Sequence, residues 1–244
     1  MVWLPECIGI PLVSRAITSA RLAELAAQAG SDQRPDGGRM FTWFDDASGA
    51  CMVFNTDDHG VVACAQPAFN SGFDFNGRAV TWGQDLDGCR YCDPLVAIEL
   101  GTVSERPGNY VFHISNAGLV RDDVKEGTPL DLIVTGFAEN IQTWESADAF
   151  RREHGHDAHI SMTAAHFDPA HPSPSQYLIT GEVFNAERRR NSFTNIEFWA
   201  LSVTAPFGTQ GAWMVVARDE DLPWGVTTSA IVSANVWACA AAMS

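Results

Sequence analysis

A histidine-rich segment is the part of the chain whose residue types and spacing come nearest to a chemical site. Neutral imidazole nitrogens are good ligands for zinc and nickel, so several of them in a short stretch predict a candidate metal site. The alternative is a solvated loop, because residues 155–175 also contain three prolines and two aspartates. The five candidate metal ligands are His154, His156, His159, His166 and His171.

The first part of this segment is similar to a known signature. His154-Gly155-His156-Asp157-Ala158-His159 resembles the H-x-H-x-D-H motif of the metallo-β-lactamase superfamily, in which histidines and a neighbouring Asp-His pair build a two-metal hydrolytic site. Here the aspartate stands at the fourth position instead of the fifth, which re-aims its side chain by about 100° on a helix. The resemblance implies a metal-dependent hydrolase, with zinc as one candidate metal, which we keep as an alternative to a protein without a cofactor.

A triplet of arginines is the second candidate site. Arg188, Arg189 and Arg190 end a predicted strand, and the aromatic residues Phe193 and Trp199 follow closely. In small barrels of the OB type such a loop lines the binding face and aromatic side chains stack on bases, so single-stranded nucleic acid is one hypothesis. The other is an ion-paired edge. The formal net charge of −15 favours the second, because it opposes attraction to a polyanion.

Several other chemistries are excluded by the residues themselves. Lys125 is the only lysine and lies in Val-Lys-Glu-Gly, so no phosphate-binding P-loop is present. Cys89 and Cys92 form the only closely spaced cysteine pair, and a zinc ribbon needs a second one. Nucleophile-elbow and zinc-protease motifs are also missing. The sequence therefore favours a protein without catalytic activity.

Alternating and helical patterns indicate the elements that must position these residues. Thr18 or Ser19 caps a predicted helix over residues 17–30, and Ser146 caps another that ends at His154. A long loop is expected over residues 67–93, which are rich in Gly, Asn and Asp, and no internal repeat is visible. The first predicted strands, 40–44, 50–54 and 61–65, form an antiparallel meander, and further strand-like runs cover 95–100, 109–115, 130–143, 177–187, 196–204, 212–217 and 230–239.

These elements predict an α+β chain of mostly antiparallel strands. An N-terminal domain with a helix and a meander is expected over residues 1–154, and a small five-stranded barrel over 176–244. Residues 155–175 have the composition of a linker or loop between the two.

The expected barrel carries a resemblance of its own. Gly181-Glu182-Val183, Phe198-Trp199-Ala200-Leu201, Val215-Val216-Ala217 and Asn235-Val236-Trp237 look like the OB-fold-like C-terminal segment of certain uncharacterised bacterial proteins. The likeness covers about a quarter of the chain. Asn195 stands where such relatives have glycine. The resemblance implies a five-stranded barrel and no particular reaction.

The composition sets the functional expectation. Hydrophobic residues make up 46% of the chain and charged residues 18%, which is typical of a packed globule. We expect no membrane segment, because no apolar run is long enough, and a cytoplasmic location. The leading hypothesis is a non-catalytic binding or protein-interaction module whose partner is an unknown protein or a second copy. The chain's eight tryptophans fit this hypothesis, because tryptophan is enriched at interfaces.

Overall fold

The computed structural model describes residues 4–11, 15–33, 39–56, 59, 61–82, 95–100, 109–120, 122–155, 163–164, 176–204, 212–222 and 224–243. Three α-helices lie in these ranges: α1 Arg15–Gln28, α2 Ala117–Val120 and α3 Ala147–His154. Leu4–Ile8 and Asp219–Asp221 form 3₁₀ helices. The strands are β1 Gly30–Gln33, β2 Arg39–Phe44, β3 Ala50–Thr56, β4 Val62–Phe69, β5 Phe73–Trp82, β6 Leu95–Leu100, β7 Asn109–Ile114, β8 Pro129–Trp144, β9 Thr163–Ala164, β10 Gln176–Arg190, β11 Glu197–Thr204, β12 Ala212–Arg218 and β13 Ile231–Ala242. The predicted class, α+β with mostly antiparallel strands, is confirmed.

The first sheet is the predicted meander with one strand added. Its order is β1-β2-β3-β4, and every neighbouring pair is antiparallel. The turn between β2 and β3 ends at Gly49, whose φ of 79° suits glycine. Helix α1 lies against this sheet and buries Leu25 completely, with Leu22 and Ala26 beside it. These three residues recur at helical spacing, which places them on one face of α1.

The second sheet has nine strands and closes on itself in two rings. In the first ring β10 pairs with β11, β11 with β12, β12 with β8, β8 with β13, and β13 with β10. Only the β12–β8 pair within this ring is parallel. This is the five-stranded closure expected of the C-terminal segment, but β8 comes from before residue 155. Residues 155–175 therefore do not separate two independent sheets, because β8 joins both sides of them.

A second ring shares two strands with the first. It runs from β8 to β5, β6 and β7, and then through a parallel pair to β13, which pairs with β8 again. The β8–β13 ladder extends from Trp144 opposite Ile231 to Leu132 opposite Ala242. Each of these two long strands therefore belongs to both rings.

The strand register reveals an internal repeat that inspection of the sequence did not detect. The amide of Ala79 in β5 donates to the carbonyl of Thr128, and the amide of Val183 in β10 donates to that of Ala230. A bulge follows Ala79 and another follows Val183, at the same place in each ring. Gly127 and Ser229, which precede β8 and β13, both have positive φ values, 81° and 69°.

The two repeats are related by an approximate twofold axis at the middle of the β8–β13 ladder. Gly136 lies opposite Ala238 at this axis. The neighbouring pair Phe137–Trp237 on one side is superposed by the rotation on the pair Cys239–Thr135 on the other. A Cβ atom on Gly136 would lie 2.9 Å from Cβ of Val236. A residue without a side chain is therefore required where the two rings meet.

Strand β5 corrects one expectation, since a loop was predicted over residues 67–93. Phe75 and Ala79 point into the core while Asp74, Asn76 and Arg78 are exposed, so the alternation of a strand is present. Its Asn, Asp and Gly residues are of types that favour turns, and they masked this pattern. Within the residues of known placement, no helix has the length and hydropathy to cross a membrane.

Candidate functional site

Arg188 and Arg190, two of the three arginines predicted to form a site, are ion-paired at the end of the β10–β11 hairpin. The guanidinium of Arg188 makes a two-pronged contact with Asp219, with Nε 2.7 Å from Oδ1, and its Nη2 lies 2.9 Å from Oε2 of Glu197. Arg190 Nη2 donates to Oε1 of Glu197 at 2.6 Å. The hydrogen bond from Arg188 lowers the pKa of Asp219, and Asp219 in turn raises the pKa of Arg188. Both groups are therefore held in their charged forms.

Arg189 turns the other way, toward the first sheet. Its Nε donates to Oε2 of Glu187 at 2.9 Å and its Nη1 to the carbonyl of Ser48 at 3.0 Å. The guanidinium carbon lies 5.3 Å from the centre of the Phe69 ring, within the range of a cation–π contact. Hydrogen bonds from Asn185 and Arg189 lower the pKa of Glu187. Arg189 thus links the two sheets.

A fourth arginine, which the sequence analysis did not single out, completes the charged group. Arg218 at the end of β12 binds Asp221 through Nε and Nη2 at 2.8 and 2.7 Å. Its Nη1 lies 2.9 Å from Glu220 and 3.5 Å from Glu6. The hydrogen bond with Asp221 raises the pKa of Arg218. The N-terminal 3₁₀ helix is tied to the barrel in this way.

Arg190 and Arg218, with several of the carboxylates that they and Arg188 bind, line an open cleft of about 530 Å³, which we call the acidic cleft. Four of its lining side chains are carboxylates and two are guanidiniums, so the lining carries net negative charge. Its walls come from three separate stretches of sequence. The lining residues are Glu6, Gly9, Pro11, Arg190, Asn195, Ile196, Glu197, Arg218, Asp219 and Glu220.

Buried Asn191 fixes the wall formed by the β10–β11 turn. Its side-chain nitrogen donates to the carbonyl of Ile8 at 2.7 Å, and its oxygen accepts from the amides of Phe193 and Thr194 at 3.0 and 3.1 Å. Thr194 Oγ1 donates to the carbonyl of Gly9 at 2.6 Å. Asn195 follows with a φ of 60°, a left-handed conformation that asparagine adopts more readily than most residues. The turn and the N-terminal segment are thereby held in one geometry.

The two aromatic residues proposed for base stacking are placed in different parts of the core. Phe193 is half-buried and meets the edge of Trp43, with ring centres 6.1 Å apart, in the cluster between the two sheets. Trp199 is half-buried and packs on the cluster inside the rings. Trp199 lies directly opposite Arg188 in the β10–β11 ladder, whereas Phe193 faces Trp43 of the first sheet, so the five predicted residues do not form one exposed surface.

Of the five predicted metal ligands, His154 alone lies within the described residues. It ends α3, where its ring centre is 4.7 Å from that of Phe150 and 5.1 Å from that of Trp144. Its Nε2 is 3.8 Å from Oε1 of Glu153. His156, His159, His166 and His171 fall outside the described ranges, as do Cys89 and Cys92. Within those ranges no three His, Cys, Asp or Glu side chains are arranged to hold a metal ion.

Comparisons with known proteins add little. No protein-family model and no curated protein matches this chain, so the resemblance to uncharacterised bacterial proteins stays a prediction. Among solved structures, the cytoplasmic molybdate-binding protein ModG with molybdate bound is similar, with 13% sequence identity and a TM-score of 0.35. The match covers 69% of this chain and 94% of that one. At this score the likeness indicates neither a ligand nor a function for the present chain.

Proposed function

We propose that this protein is a non-catalytic binding module and that the acidic cleft holds a small cationic ligand. The observation that carries the proposal is the charge around the cleft: four carboxylates and two guanidiniums line it, and with Arg188 and Asp221, which contact these groups from behind, five carboxylates stand against three guanidiniums. The net charge of −15 acts in the same direction, because it raises the local concentration of cations around the molecule.

The size and rigidity of the cleft suit a small molecule. A volume of about 530 Å³ lies within the range of roughly 300–1,000 Å³ that is typical of ligand pockets. Each lining carboxylate forms an ion pair with at least one arginine. The pairs are Arg218 with Glu6 and with Glu220, Arg188 with Glu197 and with Asp219, and Arg190 with Glu197. Because these side chains are already ordered, a ligand loses little free energy in arranging them.

The ionisation of these groups supports binding rather than catalysis. A general acid or base works best when its pKa lies near the pH at which the protein operates. In this cleft the pKa of Asp219 is lowered and that of Arg218 is raised, so both are moved away from neutrality. They are suited to hold charge and not to transfer protons.

The same contacts disfavour a polyanionic ligand. To bind Arg188, a nucleic-acid phosphate would have to displace the carboxylates of Asp219 and Glu197. To bind Arg190, it would have to displace that of Glu197. Those carboxylates would then be left beside the phosphates without their partners. We therefore place the cationic ligand ahead of single-stranded nucleic acid.

Isothermal titration calorimetry of the intact chain with spermidine, at low ionic strength, tests the proposal. Inorganic phosphate serves as the anionic probe. We expect spermidine to bind with one-to-one stoichiometry and phosphate to give no heat. Glu220→Gln removes one carboxylate whose side chain is 73% exposed, and at water-like dielectric we expect about a fivefold loss of affinity.

Glu126→Gln is the matched control, because it makes the same charge change on an exposed residue outside the cleft. We expect it to leave the affinity unchanged. Absence of spermidine binding, or equal losses in the two variants, would refute the acidic cleft as the site.

A further inference from the structure

A second depression lies beside the C-terminal half of β8, and we call it the β8 groove. It has a volume of about 340 Å³ and shares no lining residue with the acidic cleft. Four consecutive residues of β8 form one wall and the turn after the second 3₁₀ helix forms another. The lining residues are Ile141, Gln142, Thr143, Trp144, Glu153, Asp221, Leu222, Trp224 and Gly225.

One backbone edge of β8 borders this groove. Residues Ile141 to Trp144 pair with β13 on one side, from Ala234 to Ile231. Strand β12 lies on the other side but pairs with β8 only from Thr135 to Phe137. In the part of the chain whose placement is known, no other strand pairs with that second edge beyond Phe137. Such an edge offers amide and carbonyl groups to an added strand.

Trp224 forms the opposite wall and is 96% exposed, more than any other large hydrophobic side chain described. The backbone of its turn is held, because the amide of Gly225 donates to the carbonyl of Leu222 at 2.9 Å and Leu222 is buried. Gly225 allows the turn with a φ of 74°. An indole held in water on a fixed turn, above a strand edge, has the features of an interface anchor.

The negative charge of the groove favours a basic occupant. Its two ionisable lining residues, Glu153 and Asp221, are both acidic. Asp221 is paired with Arg218, while Glu153 accepts a hydrogen bond of 2.7 Å from the indole nitrogen of Trp144 and lies beside His154. Trp224 and Glu153 line the same groove, and an aromatic ring and a carboxylate are two groups that attract an organic cation such as a lysine or arginine side chain.

We propose that the β8 groove binds an extended, basic peptide segment of a partner protein. The segment adds to the edge of β8 through main-chain hydrogen bonds and places a lysine or arginine side chain between Trp224 and Glu153. This inference is independent of the cationic small molecule proposed for the acidic cleft.

The test is fluorescence anisotropy of three labelled octapeptides with the intact protein. The first alternates threonine and lysine, the second alternates threonine and glutamate, and the third repeats the first with N-methylated amides at every second residue. We expect the first to bind at least tenfold more tightly than either of the others. The second peptide tests the charge and the third tests the backbone pairing.

Two variants locate the site. Trp224→Ala should weaken the threonine–lysine peptide by about tenfold, because it removes the aromatic wall without disturbing the core. Phe184→Ala, at another exposed aromatic residue, should leave the affinity unchanged. Thermal unfolding confirms that each variant is folded. No binding, equal binding of the glutamate peptide or of the N-methylated peptide, or an unchanged affinity of Trp224→Ala would each overturn the proposal.

Discussion

Substitution of Asp45 by asparagine should weaken the contact between the two sheets. Asp45 follows β2 and is 5% exposed. Its Oδ2 accepts from the hydroxyl of Ser48 at 2.5 Å and from the amide of Ser192 at 2.8 Å, and its Oδ1 accepts from the amide of Ala47 at 3.2 Å. Because Ser192 belongs to the β10–β11 turn, this carboxylate connects the first sheet to the second.

The expected loss follows from the contacts that asparagine cannot make. Its side chain keeps one acceptor oxygen and puts an NH₂ group in place of the other, so at least one of the three bonds is lost. The remaining bonds no longer involve a charged acceptor, and such bonds contribute about 1.5–3 kcal/mol against about 1 kcal/mol for neutral ones. We expect Asp45→Asn to reduce the free energy of unfolding by about 2–4 kcal/mol.

The loss should depend on pH. Burial raises the pKa of Asp45, but hydrogen bonds from Ser48, Ser192 and Ala47 outweigh it and hold the pKa below its ordinary value of 3.8. A carboxyl group with a lowered pKa in the folded state stabilises the protein above its unfolded pKa, and this contribution disappears as the pH falls through the folded pKa. The difference between the wild type and Asp45→Asn should therefore shrink below about pH 4.

Guanidinium denaturation followed by far-UV circular dichroism, at pH 7 and at pH 3, measures both quantities. Asp46→Asn is the control, because Asp46 is the exposed neighbour and the charge change is the same. A loss below about 1 kcal/mol at pH 7, smaller than the loss of even one charged hydrogen bond, would refute the reasoning. So would an equal loss at both pH values.

Three further predictions concern the contact at Gly136, two buried thiols and the metal content. Gly136→Ala should reduce the free energy of unfolding by about 1–3 kcal/mol, because the added Cβ would lie 2.9 Å from Cβ of Val236. Gly30→Ala is the control and should change stability little, because no atom lies within 4 Å of its added Cβ. Chemical denaturation of the two variants measures the difference. Burial raises the pKa of Cys7 and of Cys51 to about 12, so both thiols should resist a disulfide reagent at pH 8 in the native protein and react after unfolding. Elemental analysis of protein purified without a histidine tag should show no stoichiometric zinc, and one zinc per chain would instead revive the metal-dependent hydrolase.

Features with a local cause could be predicted from the sequence. The N-cap of α3 is Ser146, whose hydroxyl accepts from the amide of Ala149 at 3.2 Å, and the turn residue Asn195 has the positive φ that its side chain tolerates. The order of the three meander strands also followed from their alternation and short turns. Each of these features involves only a few neighbouring residues.

The acidic cleft could not be predicted in the same way, because its charged residues come from three distant segments. Glu6 reaches it from the N-terminus, Arg190 and Glu197 from the β10–β11 hairpin, and Arg218 from the end of β12. Their proximity depends on the fold. The arginine triplet is a run of like charge in the sequence. The acids that neutralise Arg188, however, lie at positions 197 and 219. A charge run alone does not indicate an exposed charge.

The repeat was hidden for a different reason. Matching positions of the two rings have the same backbone geometry, which several residue types can adopt. Gly127 therefore corresponds to Ser229, and Ala79 to Val183, although the amino acids differ. One consequence of the shared ladder is the length of its two strands. Strands average about five or six residues, whereas β8 has 16 and β13 has 12. β8 needs this length to pair with β5 over its first part and with β12 beyond it. However, β10 also has 15 residues and belongs to one ring only, so the predicted run at 130–143 did not by itself reveal a shared strand.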